Sequence, residues 1–433
     1  MRVGMLTGDG QIERRILLKA ESLISNKHEV ILLAEPGAGL EIFEHIGNVR
    51  VERVQHPKGL NAEHLILHIS SLISGILSRL SAIVLKAIGL VSMGVSKGFS
   101  LANVLNQHAT NAILRAFRRL RRIPLHEFAL VDRVLFYDAD VVHAHDLPRL
   151  RVAAMAKKRL KLPLIYDVHE LYPEIGTLTP IQKKLQAKRE KRYIKDADAV
   201  ITVNGYIADE LTKQYKIKKP IVILNATRWP AGIDLSGRFD KVRERFAIPK
   251  DSRILFFQGW MSCTRGLQTL ARAMKFVADF VHLVFMGYGE ALDGLKEITT
   301  SELNLAKRIH FMDAVPQKDL LEWTTSADVG IIPYQPVDLN NYFCSPNKLF
   351  EFIQAELPII ANDLPFLRAV VEGEGFGIVY KLESIDDFEA AINKSFSDGG
   401  KKLKFCKENL RRSKDQYSWE KEEKKLVKIY ESI

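Results

Sequence analysis

Two clusters in this 433-residue chain have the residue types to act on a charged, hydroxyl-bearing ligand. The first is Ser345-Pro-Asn-Lys-Leu-Phe-Glu351. A loop ending in Ser345-Pro346 and running into a helix with Asn347 and Lys348 at its start offers an anion backbone N–H groups, a positive dipole end and a cation. A diphosphate suits all three. Glu351 lies one turn further in, where its carboxylate can accept two hydroxyl hydrogen bonds from a ribose, although these residues alone also fit an ordinary capped helix. The second cluster is Val141-Val-His-Ala-His-Asp146, followed by Tyr166-Asp-Val-His-Glu170. His143 and His145 share one face of a strand, and His145 stands at its carboxyl end, where α/β sheets collect ligand-binding groups. With Asp146 beside it, His145 can bind a sugar or acceptor hydroxyl and orient reacting groups, or serve as a structural strand-end histidine. Asp167, His169 and Glu170 end the next strand and shape the same pocket. Zinc is the other chemistry that His143, His145 and Asp146 allow, but no further ligand cluster completes a set, so no metal cofactor is expected. Gly8-Asp9-Gly10 follows the first strand, and its backbone can approach a phosphate or sugar.

Elements that alternate strand and helix must position these groups. Apolar runs at 1–6, 29–33, 141–143, 164–167 and 200–203 are separated by helical stretches at 12–26 and 149–160, the signature of a parallel sheet with crossover helices. A second set, at 222–224, 253–258, 282–286, 308–312, 329–333, 358–362 and 377–380, repeats the pattern. The break between them falls near 214–230, where Lys213-Gln-Tyr-Lys-Ile-Lys-Lys-Pro220 interrupts the periodicity. Two doubly wound sheets then face each other with a ligand cleft between their carboxyl ends. Asp138-Ala-Asp140 and Asp196-Ala-Asp198 resemble a cation-binding Asp-x-Asp pattern. Ala-Asp recurs at Ala327-Asp328, however, each time just ahead of an apolar strand, which reads as turn chemistry.

Composition sets the outer bounds. The length implies two domains, and 47% hydrophobic with 27% charged residues is ordinary for globular chains. Three cysteines, widely spaced, make neither a disulfide framework nor a zinc site. The start reads directly as a strand without signal-peptide features, so a cytoplasmic location is expected. The net charge of +11 is concentrated. From Glu63 to Glu127 no acid intervenes, while Arg79, Lys86, Lys97, Arg115, Arg118, Arg119, Arg121 and Arg122 alternate with apolar runs too short for the roughly 20 residues of a membrane span. Such helices suit an anionic membrane interface, with Arg115, Arg118, Arg119, Arg121 and Arg122 as the binding residues. Helices packed into the first domain with a solvated basic face are the alternative. Nucleic acid is not expected, since no binding motif accompanies the charge.

Taken with Phe257-Gln-Gly-Trp260 and Thr264-Arg-Gly266, these motifs in this order resemble the nucleotide-sugar glycosyltransferases of family 4, nearly end to end. The resemblance implies the GT-B fold: an acceptor domain at 1–215 with a basic helical insertion at about 60–126, a donor domain at 216–415, and a C-terminal helix at 416–433 crossing back. It places His145 toward the reacting sugar and acceptor. It sets Gly259, Gly266 and Arg265 in the loop that clamps the donor diphosphate with Lys348, and Val315 on the nucleobase. It implies retention of anomeric configuration, with no firm protein nucleophile. One departure stands out: the family's first glutamate, eight residues before Glu351, is Phe343 here, so Ser345, Asn347 and backbone N–H groups must take over that sugar contact. The expected enzyme transfers a sugar from a nucleoside diphosphate, UDP favoured over GDP, to a lipid-linked or polysaccharide acceptor in cell-surface glycan synthesis, peripheral on the inner face of the membrane. An epimerase on the same fold, or a non-catalytic partner that keeps the cleft, are the other readings.

Overall fold

The computed structural model describes residues 1–55, 124–228, 239–301 and 303–433. The basic apolar segment, with Arg115, Arg118, Arg119, Arg121 and Arg122, lies outside the described residues. Among the described residues no helix is long and apolar enough to cross a membrane.

Two α/β units are present. The first sheet has strands β1 (Arg2–Leu6), β2 (Glu29–Ala34), β3 (Phe43–Ile46), β4 (Val49–Arg53), β5 (Val141–His145), β6 (Leu164–Val168), β7 (Ala199–Thr202) and β8 (Ile221–Val222), in the order β3-β4-β2-β1-β5-β6-β7-β8. All pairs are parallel except β3 with β4. The second sheet has β9 (Arg253–Trp260), β10 (Val281–Tyr288), β11 (Ile309–Met312), β12 (Val329–Ile332), β13 (Ile359–Asn362) and β14 (Gly377–Tyr380), all parallel in the order β11-β10-β9-β12-β13-β14. The order reverses between β1 and β5 in one sheet and between β9 and β12 in the other, and ligand crevices open at such switch points.

The segment at 222–224, expected to open the second sheet, instead belongs to the first: Ile221 and Val222 pair with Ile201 and Thr202 on β7. A two-residue edge strand carries too little hydrophobic pattern to declare its sheet, so the sequence reading placed the boundary too early. The Ala-Asp turns behave as expected of local chemistry. Asp140 accepts from Arg2 N–H at 2.6 Å, Asp198 from Leu164 N–H at 2.7 Å and Asp328 from Ile254 N–H at 2.9 Å. Each thereby ties a strand start to its neighbour.

Strand alternation fixes what each face of the first sheet meets. Val142, Ala144, Leu164 and Tyr166 face the helices Leu125–Phe136 and Asp146–Leu160. Val141 and Ile165, on the opposite face, pack with helix Arg14–Ser25 and with Trp419, Leu426, Ile429 and Tyr430 of the C-terminal helix Trp419–Glu431. That helix is thus built into the first domain's core, with Trp419 Nε1 donating to Ser22 Oγ at 2.7 Å. By alternation His143, His145 and Asp167 share this second face.

The two domains meet at a short clasp. Gly176 N–H donates to Asp338 at 2.7 Å, Leu171 N–H to Asn340 at 2.9 Å, and Asn204 Nδ2 to the Phe343 carbonyl at 2.8 Å. The Phe343 ring stacks on Tyr206 of the first domain, with centroids 5.9 Å apart.

Candidate functional site

Between the domains lies a cavity of about 480 Å³, bounded on the second-domain side by Gln258, Gly259, Arg265, Tyr334, Ser345, Lys348 and Glu351, and on the first-domain side by Arg14, Arg15, His169 and Glu170. Helix Asn347–Gln354 begins immediately after Pro346, whose fixed ring dihedral suits a helix entry. Its buried face, Leu349, Phe350, Phe352 and Ile353, holds it against the second core and fixes where Lys348 and Glu351 point. The Lys348 ammonium is buried, has no hydrogen-bond partner among the described residues, and stands 3.5 Å from the centre of the Phe257 ring. Burial, reinforced by the nearby Arg265, holds its pKa well below the ordinary lysine value. Arg265 stacks 4.2 Å over Tyr334 and donates to the Trp260 carbonyl at 3.1 Å. Ser345 Oγ is a second buried group without a hydrogen-bond partner among the described residues. A desolvated cation costs free energy unless an anion reaches it, a cost that an anionic ligand entering this corner would offset.

Glu351 is held from two sides. Gln258 Nε2 donates to Oε2 at 2.6 Å, Thr324 Oγ1 donates to Gln258 Oε1 at 2.8 Å, and Arg14 Nη1 of the other domain lies 3.3 Å from Oε1. Gly259 takes φ +103°, a conformation that favours glycine, and an added Cβ there would stand in ordinary contact, 3.8 Å, with the Lys348 Nζ. At Gly266 (φ +69°) a Cβ would collide with Gln335 at 2.6 Å.

Behind the first-domain wall is a buried charge cluster. Asp167 Oδ2 is ion-paired to Lys19 Nζ and lies 3.1 Å from His169 Nε2, 3.2 Å from His145 Nδ1 and 3.5 Å from His143 Nε2. Asp146, in the left-handed region at φ +59°, accepts from both His169 N–H at 2.8 Å and His169 Nδ1–H at 3.0 Å. Burial and the Arg15 guanidinium pull the His169 pKa down, but Asp167 and Asp146 outweigh them and raise it. The two carboxylates thus favour the protonated form of His169 more than water does. His145 is the opposite, since burial and then His143 push its pKa well below the usual value. Tyr430 of the C-terminal helix meets His143 Nδ1 at 2.8 Å. His143, His145 and Asp167 offer ligand atoms within 4.8 Å of one another, and Asp167 is already ion-paired to the Lys19 ammonium.

Two family models match this chain: "Glycosyltransferase Family 4" over residues 90–236 and "Glycosyl transferases group 1" over residues 252–398. The chain is a family 4-like glycosyltransferase. It is 23% identical over 320 residues to a D-inositol 3-phosphate glycosyltransferase of Thermomonospora curvata, covering 67% of this chain and 71% of the relative. It is 24% identical over 306 residues to an uncharacterised glycosyltransferase of Methanocaldococcus jannaschii, covering 67% and 75%. The GT-B fold is shared with the Anabaena protein HepE in complex with UDP-glucose (TM-score 0.69, 14% identity, 100% of both chains) and with sucrose-phosphate synthase from Thermosynechococcus elongatus (TM-score 0.66, 15% identity, 100% of this chain and 98% of that one).

In this glycosyltransferase the cavity brings together Gly259, Arg265, Ser345, Asn347, Lys348, Glu351, His169 and Glu170 from the residues expected on sequence. Others stand elsewhere. Gly8 packs near Pro148, and Asp9 is exposed with its carboxylate accepting from Thr7 Oγ1 at 3.0 Å. Gly266 shapes the turn behind Arg265, and Val315 packs against the second core. His145, expected to face the reacting sugar, is not among the residues lining this cavity: its ring is 1% exposed, stacked on His143 at 4.4 Å, with Asp167 at its Nδ1 edge and His169 beside it. His143 is sealed by Tyr430 in the same way, and Asp146 turns to His169 rather than to the cavity. Phe343, at the place of the family's first glutamate, is a domain contact.

The sequence reading missed Arg14, Arg15, Lys19 and Gln258. A signal existed for three of them. Helix Arg14–Ser25 opens on two arginines with no acid in its first turn, against the preference of a helix N-terminus for negative charge, and Lys19 follows Arg15 one turn later on the same side.

Proposed function

We propose that this enzyme transfers a sugar from a nucleoside diphosphate donor, UDP favoured over GDP, with retention of configuration, to a lipid-linked or polysaccharide acceptor in cell-surface glycan synthesis. The observation that carries the donor half is the buried, unpartnered Lys348 ammonium beside Arg265, in the cavity that also presents Glu351. Lys348 and Arg265 take the diphosphate and stabilise charge on the leaving group, Glu351 takes the ribose, and Ser345 and Asn347 contact the sugar. His169 and Glu170 reach the opposite wall, where an acceptor hydroxyl is oriented. Burial and the Asp146 charge raise the Glu170 pKa, which suits a group that hydrogen-bonds hydroxyls. The UDP preference leans on HepE, solved with UDP and with UDP-glucose. No metal is assigned a step.

Thermal denaturation against UDP-, GDP- and ADP-sugars tests the donor half. One of them, at about 100 times its dissociation constant, should stabilise the protein by roughly 2.7 kcal/mol, and Glu351→Ala should abolish most of that shift. Turnover of that donor without any acceptor would select an epimerase instead.

The acceptor half rests on a surface. Helix Pro180–Tyr193 exposes Ile181 (74%) and Leu185 (61%) one turn apart, with Lys184, Lys188, Lys191 and Arg192 exposed around them. Its one acid, Glu190, is buried and accepts from Tyr166 and Tyr215, each at 2.7 Å. An acid-free basic face with an apolar tip suits an anionic bilayer, at about 1 kcal/mol per cation near the surface. Arg189 on this helix is anchored within the first domain, 3.4 Å from Glu127. Binding to vesicles containing anionic phosphatidylglycerol should fall several-fold in Ile181→Ser/Leu185→Ser with donor affinity intact. Wild-type indifference to such vesicles at low salt would remove the membrane from this reading.

A further inference from the structure

Arg14 carries a charge that the helix it starts does not favour, and its placement shows what it is for. Arg15 ion-pairs locally, with Glu13 at 2.5 Å. Arg14 reaches across the cleft instead, so that a first-domain guanidinium and a second-domain carboxylate meet at 3.3 Å inside the donor cavity. That contact is charge without a directed hydrogen bond, for Arg14 Nη1 is buried and has no hydrogen-bond partner among the described residues. The two oxygens of Glu351 differ accordingly. Oε2 is locked within its own domain through Gln258 and Thr324. Among the described residues Oε1 has only Arg14 at ion-pair distance, the partner that can be exchanged. The same cavity holds the unpartnered Lys348 ammonium.

We propose that Arg14 is a donor-exchanged residue: in the empty enzyme it neutralises Glu351, and on donor binding the ribose takes Glu351 Oε1 while the freed guanidinium joins Lys348 and Arg265 on the diphosphate. This rests on the reading of Glu351 as the ribose ligand. Because Arg14 belongs to the first domain and the other two cations to the second, the diphosphate then bridges both domains. The exchange makes Arg14 oppose one part of the ligand and attract another. A nucleoside, which needs Glu351 but carries no phosphate, competes with Arg14. A nucleoside diphosphate competes at the ribose and recovers the arginine at the phosphates. Removing the guanidinium must therefore move the two affinities in opposite directions, which a merely structural residue would not do.

The test uses the full-length enzyme with uridine and UDP, and with guanosine and GDP, following whichever pair the wild type binds. Nucleosides are read by ligand-observed NMR and diphosphates by calorimetry. Arg14→Gln should bind the nucleoside about two- to threefold more tightly, as a partly exposed ion pair of modest strength is lost, and the diphosphate about tenfold more weakly, as a charge-assisted contact is lost. Arg14→Lys should recover part of the diphosphate affinity. In a Glu351→Gln background, Arg14→Gln should no longer tighten the nucleoside. Unchanged affinities in Arg14→Gln, or shifts of both in one direction, overturn the proposal. If Glu351→Gln itself leaves nucleoside binding untouched, the ribose assignment fails first and the exchange with it. A Glu351→Gln that weakens the nucleoside while Arg14→Gln is silent refutes the exchange alone.

Discussion

Lys348→Met should raise the melting temperature of the empty protein and at the same time lower its affinity for a nucleoside diphosphate about 10- to 150-fold, the range for one lost hydrogen bond to a charged group. The two effects have one cause. The ammonium is buried against Phe257 with no hydrogen-bond partner, so in the empty state it is desolvated without compensation. Methionine fills similar volume with an unbranched apolar chain and removes that cost. Titration supplies an independent check. The folded pKa lies well below the unfolded value of about 10.4, so between the two the unfolded chain binds one proton more than the folded one. Wild-type stability must then rise with pH across that window, and Lys348→Met must lose this slope. An arriving diphosphate favours the charged amine, so binding within the window takes up a proton, visible by calorimetry in two buffers of different ionisation enthalpy. A destabilised Lys348→Met that still binds the diphosphate normally would mean that the lysine is a core residue and not a ligand.

The parts of this fold that follow one-dimensional periodicity were legible in the sequence. Strands buried on both faces, such as Val329–Ile332 and Ile359–Asn362, are continuous apolar runs, and the ligand loops lie at their carboxyl ends. What escaped were features set by pairing between distant segments. The hairpin β3–β4 has an edge strand with an exposed Phe43 and no apolar alternation, and β8 is two residues long. At the site, Lys348 and Glu351 could be read because their chemistry is local to one helix. His145 could not be placed. Its role depends on Asp167 lying opposite it in register and on Lys19 and Tyr430 arriving from other elements, and no local motif encodes that closure. The arginine pair at 14–15 was visible only as a violation of helix electrostatics, and such a violation acquires meaning once the opposing carboxylate is known.

Asp167→Asn should be the most damaging single change in the first domain, costing about 3–5 kcal/mol of stability, the usual result of stripping one partner from a buried ion pair. Asp167 is wholly buried and its Oδ2 faces Lys19, His143, His145 and His169 together. Burial alone would raise its pKa, but His169 and Lys19 reverse the shift and hold it well below the carboxylate range. Because the folded value is the lower one, its contribution is complete above the unfolded pKa of about 3.9 and fades only as pH falls through the folded value. The loss in the variant is therefore fully felt at neutral pH. Lys19→Met/Asp167→Asn should recover much of it, since the stranded ammonium goes too. The functional effect travels through His169. Without Asp167, burial and Arg15 are opposed by Asp146 alone, so the imidazolium that touches the cleft wall titrates at lower pH. Turnover should drop and its pH profile shift in the acid direction, while affinity for the nucleoside diphosphate stays close to wild type, because Lys348 and Arg265 belong to the other domain. Equal losses in turnover and nucleotide affinity would show instead that the cluster only holds the first domain together, and an unshifted pH profile would remove His169 from the reaction.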